Sequence, residues 1–312
     1  MASDRLQVFA PDGIGEVEEG TDLADLVAPY VSDGDVVVVT SKVVSKAEGR
    51  VRVGDREQAI HDETVRVVAR RGTTSIVETP IGVVMAAAGV DASNVVPGSV
   101  VLLPTDPDAS ARRIRTDLAA RRGLNVAVVV SDTAGRAWRH GQTDLAIGLA
   151  GLHAVESFEG RVDGYGNPLA VTAPAVADEI AGIAEVATGK LGNRPVTVVR
   201  GLAERVLPRG EHGAGARVLV RETGTDMFGL GSREAVVAAL SNRDQQAFGA
   251  PATAADLVRA LTDCGLPASA DEGRVVVSAE PDDLRVAILA FAHSWQVSGQ
   301  SADLSTVLVP LS

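Results

Sequence analysis

Apolar runs short enough for strands alternate along the chain with longer mixed segments that carry helix caps and stops. "DVVVVTSKVVS" (35–45) follows the turn-like "SDGD" and predicts the first strong strand. "HDETVRVVARR" (61–71) reads as a helix, acidic at its start and basic in its last turn. "IGVVMAAAGVDASNV" (81–95) is a second apolar run ending in small polar residues, and "SVVLLP" (99–104) predicts a short strand. "DPDASARRIRTDLAARRG" predicts a helix capped near Asp106–Ser110 and stopped at Gly123. "LNVAVVVSD" predicts the next strand, while "DLAIGLAGLHAV" (144–155) fits a strand or a buried helix. Beyond the turn-rich "FEGRVDGYGNPLA" come a helix in "APAVADEIAGIAEVATGK" (173–190) and a strand in "RPVTVVRG" (194–201).

A Gly- and Arg-rich stretch from Gly201 to Gly231 has the look of a functional loop and leads to a short helix at 232–242. The composition then shifts near 243–248. We therefore divide the chain into a domain of residues 1–244 and a small C-terminal α/β module, 245–312. The module carries a helix in "DQQAFGAPATAADLVRALTDCG", a strand in "GRVVVSAE" and a helix around 282–295.

Aromatic residues make up only 3% of the 312-residue chain, so its core must be built from Val, Ala, Leu and Ile. A formal charge of −12 argues against a nucleic-acid-binding surface, which would leave a basic footprint. It leaves room for local arginine clusters that hold small anions. The single cysteine, Cys264, excludes an internal disulfide and a Cys-only zinc site. "MASDRLQVFAPDG" lacks the basic start and apolar stretch of a signal peptide, and no run approaches about 20 apolar residues. These features predict a cytoplasmic protein with no membrane partner.

Three phosphate-binding look-alikes fail. "GKL" (189–191) lacks the first glycine of a P-loop and its Ser/Thr, with Ala184 and Leu191 in those places. "GIGEVE" (13–18) and "GLGSRE" (229–234) each hold two of the three glycines of a dinucleotide fingerprint. The fold is thus neither P-loop nor Rossmann.

Three other segments share one grammar, an apolar run that empties into hydroxyls, amides and single carboxylates: "VVVTSKVVSK", "AAAGVDASNV" and "VVVSDTAGRAWRHGQTD". Hard divalent cations take oxygen ligands, commonly one or two carboxylates completed by nucleotide phosphates and water. Asp91 and Asp132 suit that need, and Thr133 adds a hydroxyl. Lys42 and Lys46 supply compact positive charge, whereas Arg136 and Arg139 supply forked donors for phosphate or carboxylate. Taken singly, each has a plainer reading, as a turn residue, a helix cap or a solvated face. Three residues apart, Arg136 and Arg139 would stand side by side on one helical turn.

Together, "DGDVVVVTSKVVSKAEGR", "AAAGVDASNV", "LPTDPDASARRIR", "VSDTAGRAWRHGQTDLAIG" and "VADEIAGIAEVATGK" resemble the coenzyme F420:L-glutamate ligase family, in consistent order over roughly residues 6–235. The resemblance implies an α/β fold of α+β type with a mixed sheet, a homodimer, and an amide-forming ligase. Its partners would be small molecules: GTP, L-glutamate and a deazaflavin coenzyme F420 precursor. It implies magnesium or manganese at two sites, with potassium as an optional further ion.

Carried over by position, metal binding falls to Asp91, Asp132 and Thr133. Nucleotide contacts fall to Ile14, Gly15, Glu16, Val17, Ser41, Lys46 and Asn94, and to part of the loop near Glu211–Ala216. Arg136 and Arg139 are assigned to the reacting anion on charge alone. Actinobacterial relatives carry a further flavin-binding domain of about 200 residues; the tail here is too short for it, so no FMN is expected. Two other readings stay open, a metal-dependent nucleotide phosphohydrolase and a non-catalytic coenzyme-binding protein.

Overall fold

The computed structural model describes residues 5–189, 192–222, 226, 228–301 and 304–311. The chain forms two compact units, one of residues 1–67 and 72–220, the other of 68–71 and 221–312. The sequence reading divides the chain later, between residues 244 and 245. In the structure, the helix Ser232–Ser241 groups with the C-terminal residues.

The first unit is built on a five-stranded mixed sheet in the order Gln7–Phe9, Val196–Arg200, Val36–Thr40, Ala127–Gly135, Gln142–Ala150. Only Val36–Thr40 and Ala127–Gly135 run parallel; their other neighbours are antiparallel. This is the mixed α/β architecture the sequence implies. The central strands are apolar on both faces because both faces are covered. Val37, Val39, Val128 and Val130 pack with Ala111, Ile114 and Leu118 of the helix Pro107–Arg122. Val36, Val38, Ala127 and Val129 point the other way, onto Ala177, Ile180, Ala181 and Ala184 of the helix Val176–Thr188. Strand alternation of period two thus builds a three-layer sandwich.

Caps explain several boundaries. Asp106 accepts from Ala109 N at the start of Pro107–Arg122, and Gly123 ends it with φ +68°, both as predicted. The "DLAIGLAGLHAV" run resolves as a strand that stops at Ala150. The predicted helix 173–190 spans Val176–Thr188; Lys190 and Leu191 of the "GKL" look-alike lie outside the described residues.

Two expectations are corrected. The strand predicted over 35–45 ends at Thr40, and Ser41–Ala47 is helical. Val43 and Val44 continue the buried run from the helix, so hydropathy alone cannot mark the change. The helix predicted over 61–71 is a shorter one, Arg56–Asp62, capped by Asp55 through Gln58 N, and Arg66–Arg71 is a strand. The β-branched Val65, Val67 and Val68 favour the extended form over helix propensity.

The second unit holds a four-stranded antiparallel sheet, ordered Ala268–Asp271, Arg274–Val277, Thr306–Pro310, Trp295–Gln300. Leu257 and Leu261 of the helix Ala254–Asp263, and Val286 and Ala290 of Leu284–Ala292, pack with Val275, Val277, Trp295 and Leu308. The sequence shows both helices and one strand of this module. It hides the other three strands, Ala268–Asp271, Trp295–Gln300 and Thr306–Pro310.

Candidate functional site

Because Val36–Thr40 and Ala127–Gly135 are parallel, with Thr40 opposite Ser131, the first strand ends level with Ser131, while the second continues through Asp132 to Gly135. Carboxyl ends of parallel strands are where open α/β sheets bind ligands. Ser41 opens its helix there, and its Oγ donates to Asp132 Oδ1 at 2.6 Å across 91 residues of sequence. A register shift between Val130 and Ser131 marks a bulge as the strand reaches this mouth.

Asp91 arrives from a different element. Ala87, Ala88 and Gly89 form a tight turn with φ of 52°, 53° and 68°, and Asp91 follows in a bridge to Val101. Left-handed alanines are costly and persist only where the surroundings hold them, here with Ala88 fully packed. Asp91 Oδ1 accepts from Ser93 N at 2.7 Å, and its Oδ2 meets Lys42 Nζ at 2.6 Å. Lys42 also donates to Ser93 Oγ and Ser93 O, at 2.7 and 3.1 Å. Burial pushes the Asp91 carboxyl up, but Lys42 and Ser93 outweigh it and hold it below the usual carboxylate range. Asn94 follows at φ 54°, exposed to solvent.

The Ile14–Val17 turn is brought to the same helix. Glu16 pairs with the buried Lys46, while Ile14 and Val17 join the core beneath. Ile14–Val17, Ser41 and Lys46 therefore gather around the helix Ser41–Ala47, with Asp132 bonded to its first residue and Asp91 tied to Lys42. Arg136 and Arg139 do not join them. They sit on the loop between Ala127–Gly135 and Gln142–Ala150, both exposed, and Arg136 Nη2 donates to His140 O at 3.0 Å. The loop is a hairpin connection and not a helical turn, so the two guanidinium groups are not stacked along a helix face.

Three contributors escape the sequence reading. Asp144, 7% exposed, accepts from Ser131 Oγ at 2.8 Å and from Thr133 Oγ1 at 2.7 Å. Its signal is faint: one acid within a strand, opposite Thr133 in register. Arg115, 2% exposed, donates to Leu207 O, Pro208 O and Glu211 O at 2.7, 3.1 and 2.7 Å. It also binds Val126 O and Asn125 Oδ1, at 2.8 and 2.9 Å. Asp108 takes Ala216 N at 2.7 Å. Together Arg115 and Asp108 fix the Glu211–Ala216 loop at both ends.

Asp132 carries the strongest electrostatic signature. Burial pushes its carboxyl up to about 6, Ser41 opposes this, and the charges of Asp144 and Asp91 add to it. The donor set is all oxygen: two carboxylates, Asp91 and Asp132, with the Ser41 hydroxyl on Asp132; the Thr133 hydroxyl, bonded to Asp144, points to the other face of the strand and does not join them. Among the described residues no three His, Cys, Asp or Glu side chains group closely enough to hold an ion unaided. Hard cations that keep phosphate and water ligands suit such an open oxygen set. Asp91 already has an ammonium group against it, and Asp132 is charged with difficulty, so added positive charge would be welcome at both.

A family model described as F420-0:Gamma-glutamyl ligase matches residues 13–201. The coenzyme F420:L-glutamate ligase of Archaeoglobus fulgidus is 40% identical over 220 residues, covering 64% of this chain and 88% of its own. That of Halorubrum lacusprofundi is 40% identical over 223 residues, covering 62% and 87%. That of Halobacterium salinarum is 40% identical over 224 residues, again covering 62% and 87%. The matched region takes in every site residue named above except the loop beyond residue 201.

Proposed function

The chain belongs to the F420-0:gamma-glutamyl ligase family, and on that premise we propose that it joins L-glutamate to the carboxylate of a deazaflavin coenzyme F420 precursor with GTP. The supporting observation is the convergence around the helix that follows Val36–Thr40: Ser41 on Asp132, and Lys42 on Asp91, beside the Lys46–Glu16 pair. A carboxylate is a poor nucleophile toward a triphosphate of like charge, so the site must neutralise and align both.

The reaction we propose has two steps. A carboxylate oxygen of the precursor attacks the γ-phosphorus of GTP; the bond to the β–γ bridging oxygen breaks, and GDP leaves. The resulting acyl phosphate is attacked at its carbonyl carbon by the amine of glutamate, which loses a proton, and inorganic phosphate departs. Further glutamates would add through the γ-carboxylate by the same steps.

Asp91 and Asp132 would hold magnesium or manganese, which supplies charge neutralisation for the phosphates. Lys42 and Lys46, paired here with Asp91 and Glu16, would meet phosphate oxygens as point charges, and the Ile14–Val17 turn would offer its backbone amides. The Glu211–Ala216 loop, pinned by Arg115 and Asp108, sits beside Gly151 and the start of Ala127–Gly135, at the other end of that strand from Asp132, so no nucleotide contact is assigned to it. Arg136 and Arg139, on an exposed loop, would receive the second anionic substrate. Among the described residues no helix is long and apolar enough to cross a membrane, in keeping with soluble small-molecule substrates.

Mass spectrometry of the precursor after incubation with protein, GTP, manganese and L-glutamate tests this reading. A gain of one or more glutamyl units, with GDP released only when glutamate is present, is expected. GDP release without glutamate would instead mark a phosphohydrolase, and coenzyme binding with neither product a carrier.

A further inference from the structure

We infer that Trp138 is a binding residue for the flat fused ring of the coenzyme precursor, a stacking platform carried on the hairpin loop beyond Asp132; this rests on the deazaflavin substrate proposed above.

The strand that carries Asp132 runs on to Gly135, about 10 Å further at the usual strand rise, where it pairs with Gln142. Residues 136–141 close the hairpin, with Trp138 in their midst. Of the two tryptophans, Trp295 is 4% exposed in the core of the second unit, whereas Trp138 is 86% exposed. A single exposed apolar residue is ordinary on a protein surface. Two further features set Trp138 apart.

The first is its backbone. Trp138 has φ +61°, in the left-handed region where a bulky side chain is strained and Gly, Asn or Asp is at ease. A conformation of this kind persists where neighbours hold it, and ligand sites are where it collects. Here Arg136 Nη2 ties across the loop to His140 O, and Gly141 turns the chain at φ +83°. The brace fixes the loop without giving the indole a buried seat.

The second is charge. Between Asp132 and Asp144 the chain carries Arg136, Arg139 and His140 and no acid, in a molecule of formal charge −12. Among the described residues neither guanidinium pairs with a carboxylate. An aromatic residue set between two cations suits an aromatic ligand with an anionic chain: the ring stacks on the indole, and the chain's charge meets the arginines. The guanine ring of GTP is equally flat, but the nucleotide falls to Ile14–Val17, Ser41, Lys46 and Asn94 in the reading above. The ring left for Trp138 is the precursor's.

Calorimetric titration of the full chain tests this. The precursor, and an analogue that keeps its anionic chain but lacks the ring, are each titrated with GDP and Mn2+ present, and GTP is titrated without GDP. Trp138→Ala is expected to bind the precursor about tenfold or more weakly, with Trp138→Phe recovering part of the loss. The ring-less analogue and GTP should bind the variants within about twofold of the wild type. Trp138→Gly, which relieves the backbone strain, should match Trp138→Ala in affinity with a melting temperature at or above that of the wild type. Wild-type affinity for the precursor in Trp138→Ala and Trp138→Gly overturns the inference. So does an equal loss for precursor and ring-less analogue, which would make Trp138 a support for the loop. A loss for GTP that equals or exceeds the precursor's overturns it too, and gives the platform to guanine. Failure of the wild type to bind the precursor at all would overturn the substrate reading on which the inference stands, a result distinct from failure of the platform.

Discussion

Ser41 Oγ and Asp132 Oδ1 lie 2.6 Å apart across 91 residues, where Val36–Thr40 ends beside its parallel neighbour. Ser41 is the first residue of a helix and Asp132 sits past a bulge inside Ala127–Gly135, so a helix start is locked to the neighbouring strand. Asp132→Ala removes the carboxylate and is expected to lower kcat/KM by about 10³-fold or more. Circular dichroism should show an unchanged fold. Retained activity in this variant would remove Asp132 from the cation site.

Ser41→Ala leaves the carboxylate in place without its donor. Hydrogen bonds to charged groups contribute about 1.5–3 kcal/mol, and part of this bond's contribution goes to orientation. We expect about a tenfold loss in kcat/KM with a stability change of about 1 kcal/mol or less, checked by urea unfolding beside steady-state kinetics. A loss of stability without a loss of rate would make the bond a fold contact only.

Asp132 also sets a pH signature in protein stripped of divalent ions. Its folded carboxyl titrates at about 6, while an unfolded aspartate titrates near 3.9. Between those values the folded state binds more protons than the unfolded one, so rising pH works against folding. The contribution is absent below about pH 4, grows through about pH 6 and is constant above. Asp91 shifts the opposite way, so the wild type must be compared with Asp132→Asn. The difference in melting temperature between them should widen in favour of Asp132→Asn from pH 4 to 6.5 in chelator. Parallel curves would contradict this.

Arg115 predicts a large stability effect. Five oxygens, from Leu207, Pro208, Glu211, Val126 and Asn125, lose a hydrogen bond if it is truncated, though Leu207 O keeps one from Asn125 Nδ2. Arg115→Ala is expected to destabilise by about 3–4 kcal/mol in urea unfolding. Gly151→Ala should act similarly, because its φ is +81° and a Cβ there would overlap Arg115 Nε. A mild effect of both would mean that the loop finds other support.

Arg136 and Arg139 give the opposite pattern. Both are exposed on a hairpin loop, so alanine at either should leave the melting temperature within a degree or two. If they receive the anionic substrate, KM for the precursor or for glutamate should rise by about tenfold per arginine, with KM for GTP unchanged.

The sequence reveals much of this, for physical reasons. Capped and stopped helices such as Pro107–Arg122 announce both ends, and the Val-rich strands announce burial on two faces. Asp91, Asp132, Ser41 and Lys46 are visible because charge and hydroxyls break into apolar runs. The helix Ser41–Ala47 stays hidden because Val43 and Val44 extend the strand's hydropathy without a break. Arg66–Arg71 misleads because an acidic start and a basic end mimic a helix around residues that prefer extension. Asp144 and Arg115 are invisible for a third reason: each acts through partners placed by pairing or by a distant loop. Nothing in the local pattern separates Asp144 from any other strand acid until Thr133 is seen opposite it. Likewise Arg115 is one of several arginines on its helix until Leu207 and Glu211 fold against it.

In the proposed reaction the precursor's carboxylate is phosphorylated before the amide forms. The direct measurement is oxygen transfer: precursor labelled with 18O in its reacting carboxylate, turned over with GTP, metal and L-glutamate, with the released phosphate analysed by mass spectrometry. One 18O atom per phosphate, appearing in step with amide, is the predicted result. Amide formed with unlabelled phosphate would contradict the acyl phosphate.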